Sequence, residues 1–169
     1  MASASGRTPA AYRDEAMTTV YVHGREPRLV IAQRPTRRDH LHGAWWPHSG
    51  DIDQELAPML ELVRARFGSV FGVMLNRDEW PDADVASRQA RHGKTKISWY
   101  GVMEAHQIVL LCDRSRRLAL LVLPPDTPEP VALTATLMAC APGNVLSTNE
   151  TLIRARAEAP SMPPAFLGP

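Results

Sequence analysis

"HQIVLLCDRSRRLALLVLPP", residues 106–125, is the stretch whose reading decides the fold. Two short apolar runs flank the polar turn from Asp113 to Arg117, the pattern of a β-hairpin whose strands are buried. The longer run, Leu118 to Leu123, is far too short to cross a bilayer, so no membrane partner is expected.

Upstream, "KTKISWY" (94–100) alternates, with Thr95, Ile97 and Trp99 on one face and Lys94, Lys96 and Ser98 on the other. "SVFGVML" (69–75) reads as a buried strand, and "NRDEWPDAD" (76–84) is a turn-rich loop carrying Trp80 out of strand register. "TTVYVHGREPRLVIAQRP" (18–35) reads as a strand or a hairpin about the turn from Gly24 to Pro27.

Helices separate and follow these strands. "DIDQELAPMLELVRARFG" (51–68) places Leu56, Met59, Leu60, Val63 and Phe67 on one stripe, with Asp51 or Asp53 as N-cap and Gly68 as stop. Pro58 costs a helix interior roughly 3 kcal/mol, which places the start of the regular helix near it, after a loose turn over 52–57. "DTPEPVALTATLMACAPG" (126–143) opens with Asp126 or Thr127 as cap and Pro128 in the first turn, and closes at Gly143. "STNETLIRARAEA" (147–159) begins with the capping box Ser147 to Glu150.

The order β, α, β, β, β, β, α, α, with three consecutive strands close enough to form a meander, predicts an α+β fold. It has a largely antiparallel sheet of about five strands and two or three helices packed mainly on one face. The chain of 169 residues fits one domain, expected over 19–157, between a small, polar tail at 1–18 and a proline-rich tail at 158–169. The first residues lack the apolar stretch of a secretory signal, which makes the cytoplasm the expected compartment. Cys112 and Cys140 lie in apolar stretches and read as small buried hydrophobes.

Tryptophan dominates the candidate functional residues. In "HLHGAWWPHSGD" (40–51), adjacent side chains of an extended segment point to opposite sides, so Trp45 and Trp46 divide. Trp45 is assigned to the core and Trp46 to the exposed or ligand side, in an aromatic plug between first strand and first helix. With Trp80, Trp99 and His48, Trp46 would make an aromatic surface for a flat ligand or a partner's side chain. His40, His42 and His48 invite a metal reading, but no fourth ligand is selected by spacing, so no metal and no cofactor is expected.

Charge excludes little by itself. The net formal charge is +1, and the 19 basic residues are 17 Arg and 2 Lys. Nucleic-acid binding through Arg34, Arg37, Arg38, Arg114, Arg116 and Arg117 is the alternative, opposed by that near-neutral total and by the acidic runs at 51–61 and 78–84. A third reading, a small hydrolase or metal-dependent enzyme, would draw on Cys112 or Ser98 with His106 and Asp113. No nucleophile elbow, phosphate loop or dinucleotide fingerprint supports it.

The motifs "GAWWPHSGDI", "LNRDEWP", "ISWYG", "LLVLPPDT" and "APGNVLSTNETL", from about Arg28 to Arg154, resemble a family of actinobacterial proteins known as a domain of unknown function. That family usually carries arginine at the position of His48. The resemblance implies no activity, cofactor or catalytic residue. The leading expectation is a non-catalytic binding or regulatory domain whose partner is a small molecule or a protein.

Overall fold

The computed structural model describes residues 17–20, 28–80, 83, 91–113 and 115–160. The expected tails at 1–18 and 158–169 lie largely outside them. Among these residues eight strands form one sheet: β1 (Met17–Val20), β2 (Arg28–Ala32), β3 (Gly43–Trp46), β4 (Val70–Asn76), β5 (Arg91–His92), β6 (Thr95–Tyr100), β7 (Gln107–Cys112) and β8 (Arg116–Val122). Their order is β1-β2-β3-β8-β7-β4-β6-β5, with the short β1 and β5 at the edges of a six-stranded body. Among the described residues three helices join the sheet in an α+β domain: α1 (Ile52–Phe67), α2 (Glu129–Cys140) and α3 (Thr148–Glu158).

The sheet is mixed, which corrects the expectation of a largely antiparallel one of about five strands. β3 pairs parallel with β8, and β4 parallel with β6, while the other neighbours are antiparallel. The expected hairpin is present as β7 and β8, but β6 does not extend it into a meander, because β4 lies between β6 and β7. "GAWW" adds a strand that was not expected. It is not a plug between strand and helix but β3, seated between β2 and β8.

Helices cover both faces of the sheet, not mainly one. Along β8, Leu118, Leu120 and Val122 join the core under α1, whereas Leu121 joins Leu123 and the small residues Ala132, Ala135 and Ala139 of α2 in a second core. A strand buried on both sides loses polar alternation and becomes a continuous apolar run, which is why 118–123 has that composition. The same argument separates the adjacent tryptophans of β3. Trp45 enters the α1 core and Trp46 packs against the α2 side.

Gly43 permits this placement of β3. A Cβ there would stand 2.2 Å from the Val30 carbonyl oxygen and 2.8 Å from the Ile31 Cα, so the close β2–β3 approach admits only glycine.

α1 begins at Ile52, six residues before Pro58, contrary to the expected start near the proline. Asp51 caps it by accepting the Asp53 and Gln54 N–H groups at 3.0 and 3.3 Å. That cap, worth about 1 kcal/mol, acts together with burial of Ile52 and Leu56 at roughly 1.5–3 kcal/mol each to offset the proline. α2 has Pro128 at the cap position with no side-chain cap; the Thr127 hydroxyl instead donates to the Pro124 carbonyl at 2.7 Å. α3 carries the expected capping box between Ser147 and Glu150.

Candidate functional site

β7 is antiparallel to both β8 and β4, so β3, β8, β4 and β6 all run one way. Their carboxyl ends gather at one edge of the sheet, where open sheets with parallel strands place ligands. The segments leaving β3, β4 and β8 enclose a cleft there of about 240 Å³. Trp80, Val122, Pro47, Pro124 and Pro125 supply its apolar wall, and Ser49, Asp78, Glu79 and His106 its polar groups.

Trp80 is held from behind by Trp45, with ring centroids 5.8 Å apart and planes inclined by 23°. Glu79 stands beside it in the short 3-10 turn Arg77–Glu79, which Asn76 fastens by accepting the Asp78 N–H at 3.0 Å and donating to the Met103 carbonyl at 2.9 Å. The His106 N–H donates to Glu79 Oε2 at 2.6 Å, and His106 Nδ1 lies 3.3 Å from Glu79 Oε1. His106 has φ of +57°, a left-handed conformation uncommon for a residue with a side chain. It is held there from both sides, since its carbonyl accepts the Val122 N–H at 2.8 Å.

Burial pushes the Glu79 carboxyl above its ordinary value, outweighing the opposing charge and N–H of His106. The loop from β3 to α1 is rigidified from the other side. Glu55 accepts the Ser49 hydroxyl at 2.9 Å and the His48 N–H at 3.1 Å.

Of the five candidate residues, Trp80 alone lines the cleft, with Trp45 behind it. Trp46 is half-buried on the opposite face of the sheet. Its Nε1 donates to the Pro124 and Pro125 carbonyls at 3.1 and 3.3 Å, so it braces the proline ridge from beneath. The Arg28 guanidinium covers its ring at 3.5 Å, and donates to the Trp46 and Pro47 carbonyls. Trp99 is half-buried against the α1 core, away from the cleft, and His48 is exposed on the loop. A single aromatic wall of Trp46, Trp80 and Trp99 is therefore not formed, because alternation in β3 sends Trp46 to the other face.

The three histidines of 40–48 diverge. The Ala119 N–H donates to His42 Nδ1 at 2.9 Å and Nε2 meets the Thr36 carbonyl at 2.9 Å, so both nitrogens of this buried ring serve the backbone. His40 Nε2 bonds Glu104 at 2.9 Å. Among the described residues no three His, Cys, Asp or Glu side chains group as metal ligands do.

The residues named for hydrolysis are equally dispersed. His106 precedes β7 and Cys112 ends it, about 20 Å apart for an extended strand, and Asp113 accepts the Ser69 N–H. Burial raises the Cys112 and Cys140 thiols to about 11 and about 12.

Glu79, His106 and the Pro124–Pro125 ridge were not singled out from sequence as a site. They are 18 to 46 residues apart in sequence and meet only because β7 and β8 are inserted between β3 and β4.

These features define a mixed-sheet α+β domain with a small, partly apolar cleft at the carboxyl ends of its parallel strands. The chain belongs to DUF5994, a family of unknown function, whose model matches residues 28–141. That span contains every residue that lines the cleft and ends after α2. No curated protein and no solved structure matches the chain.

Proposed function

We propose that this protein is a non-catalytic binding domain whose cleft takes a small molecule with a flat apolar body and a cationic or hydrogen-bond-donating head. The observation that carries the reading is the adjacency of the Trp80 indole to a Glu79 carboxylate fixed by His106. An aromatic face gives area at low entropic expense, and the carboxylate orients one polar group against it. The 240 Å³ volume is just under the ~300–1,000 Å³ of ordinary ligand sites, which suits a fragment-sized molecule.

The absence of a poised nucleophile favours binding over catalysis. The Ser49 hydroxyl, which also borders the cleft, donates to Glu55, and no hydroxyl or thiol among the described residues bonds the His106 ring. A cytoplasmic location and domain limits of 19–157 belong to the same proposal. Among the described residues no helix is long and apolar enough to span a membrane.

Calorimetric titration with benzylamine, benzyl alcohol and phenylacetate tests the reading. Benzylamine is expected to bind tightest, with Kd in the millimolar range or about −4 kcal/mol, and phenylacetate weakest. Glu79→Gln should weaken benzylamine about tenfold and leave benzyl alcohol nearly unchanged. Because the Glu79 carboxyl is raised, benzylamine affinity should fall as pH descends through a value above the ordinary 4.5. Equal affinity for phenylacetate and benzylamine, or no binding by any of them, contradicts the proposal.

A further inference from the structure

A group of arginines lies away from this cleft, none of them in its lining, and its surroundings differ in kind. Arg37 and Arg38 project from the turn after β2, Arg116 and Arg117 open β8, and Arg66 sits in the last turn of α1. A depression of about 540 Å³, bordered by Arg37, Arg38, Arg117 and Asn144, begins beside the start of β7 on the face that α2 and α3 cover. A second, of about 250 Å³, shares Arg37 and Arg117 with it and adds Arg116. A third, of about 290 Å³, joins Arg116 to Arg66. Arg37 and Arg117 border both the first and the second depression, and Arg116 both the second and the third, so these arginines line a run of adjoining depressions, a basic groove.

The carboxylates along this groove are already occupied, and not by arginine. Asp39 accepts the Thr36 N–H at 2.8 Å, the Thr36 hydroxyl at 2.9 Å and the Gly143 N–H at 2.7 Å. Glu104 accepts the Thr148 N–H and hydroxyl, His40 and the Gln107 amide. Asp113 accepts the Ser69 N–H at 2.8 Å. The guanidiniums of Arg37, Arg38 and Arg117 have no ion pair or hydrogen bond among the described residues. Arg66 and Arg116 flank the Phe67 ring at 4.7 and 5.3 Å, and Arg66 donates only to the carbonyls of Ile31, Ala32 and Gln33. The groove thus sets unpaired guanidiniums beside carboxylates whose hydrogen bonds come from backbone, hydroxyl, amide and imidazole donors, not from arginine. This arrangement raises the energy of the empty site and favours a multivalent anion.

We propose that this groove binds a small molecule carrying two or more phosphate groups, with Arg37 and Arg117 gripping the central phosphate and Arg38 and Arg116 on either side. Guanidinium forks match phosphate oxygens bidentately, and the 540 Å³ depression has the size of an ordinary ligand site. A nucleic-acid strand is the less favoured occupant. The chain's net charge is only +1, Asp78 and Glu79 line the cleft, and the Phe67 ring already carries the guanidiniums of Arg66 and Arg116 instead of being open for base stacking.

Isothermal titration of the full chain with inorganic tripolyphosphate tests this directly. Saturable one-to-one binding is expected, weakened at least about tenfold in the double variant Arg37→Gln, Arg117→Gln, and less in the corresponding double lysine variant, which keeps charge without the fork. Arg77→Gln, at the cleft edge, should bind as wild type. The Arg37 and Arg117 guanidiniums make no ion pair among the described residues and Arg77 makes only an exposed 3.7 Å pair with Asp78, so unchanged circular dichroism and Tm are expected for all variants. No saturable binding would mean an ordinary solvated basic face and overturn the proposal, as would equal loss in Arg77→Gln. A random single-stranded oligonucleotide that binds more tightly than tripolyphosphate and displaces it would also overturn it, in favour of nucleic acid.

Discussion

Replacing Trp45 by alanine and by phenylalanine separates two effects that the structure superimposes at one residue. The side chain is fully buried and stacks on Trp80, yet its Nε1 has no acceptor among the described residues. Trp45→Ala removes the indole, leaves a cavity between β3 and α1 and unstacks Trp80. Large-to-small changes of this kind cost about 3–5 kcal/mol, of which the aromatic pair accounts for roughly 0.5–1.5. Trp45→Phe keeps most of the ring and deletes the orphan N–H, whose burial costs about 1–3 kcal/mol, so the net loss should stay under about 1.5 kcal/mol. Trp46→Ala should fall between, near 2 kcal/mol, through loss of the Pro124 hydrogen bond and the Arg28 stack. Equilibrium urea unfolding at constant m value measures all three. A loss below about 2 kcal/mol for Trp45→Ala, or equal losses for the alanine and phenylalanine variants, refutes the placement of Trp45 as a packed wall with an unpaired donor.

Gly43→Ala should destabilise by at least about 3 kcal/mol in the same assay, because its Cβ would meet the Val30 carbonyl at 2.2 Å within a paired strand; tolerance would mean that β2 and β3 are not this close. Desolvation acts to raise the Glu104 carboxyl, but the Thr148 N–H, His40 and the Thr148 hydroxyl together outweigh it and hold the group below its ordinary 4.5. Its contribution is full above 4.5 and is lost as pH falls through the lowered folded value, so Glu104→Gln should flatten the acid limb of a stability profile taken from pH 6 to 3. An unchanged slope would remove Glu104 from that role. With thiols at about 11 and about 12, Cys112 and Cys140 should not react with a disulfide reagent at pH 8 until the protein unfolds in urea.

The legible parts of this fold are those in which local chemistry and tertiary packing demand the same residues. The Asp51 cap, the α1 stripe, the Ser147–Glu150 box, the alternation of β6 and the β7–β8 hairpin are all of that kind. β3 is different. Four residues long, it is too short for a periodic signal, and its partner β8 lies more than 70 residues away, so its insertion into the sheet and the resulting parallel pairs follow from long-range packing alone. The apolar run of β8 did contain the information that both faces are covered, since a strand with one wet face would alternate.

The same insertion governs how much of the site could be read. Strand alternation is sufficient to divide Trp45 from Trp46, but placing Trp80 against Glu79 and His106 requires the order of β8, β7 and β4. Pro58 shows the opposite limit: a strong local penalty yields to a good cap and two buried aliphatic side chains.

The central claim is that ligands enter at the carboxyl ends of β3, β4 and β8, over Trp80. Its most direct test is a ¹H–¹³C aromatic and methyl NMR titration with benzylamine, read residue by residue. The account expects saturable shifts centred on the Trp80 and His106 rings and the Val122 methyls, with Trp99 unmoved. Shifts centred on Trp99, or on the exposed Leu133 and Leu137 of α2, with Trp80 silent, would contradict it.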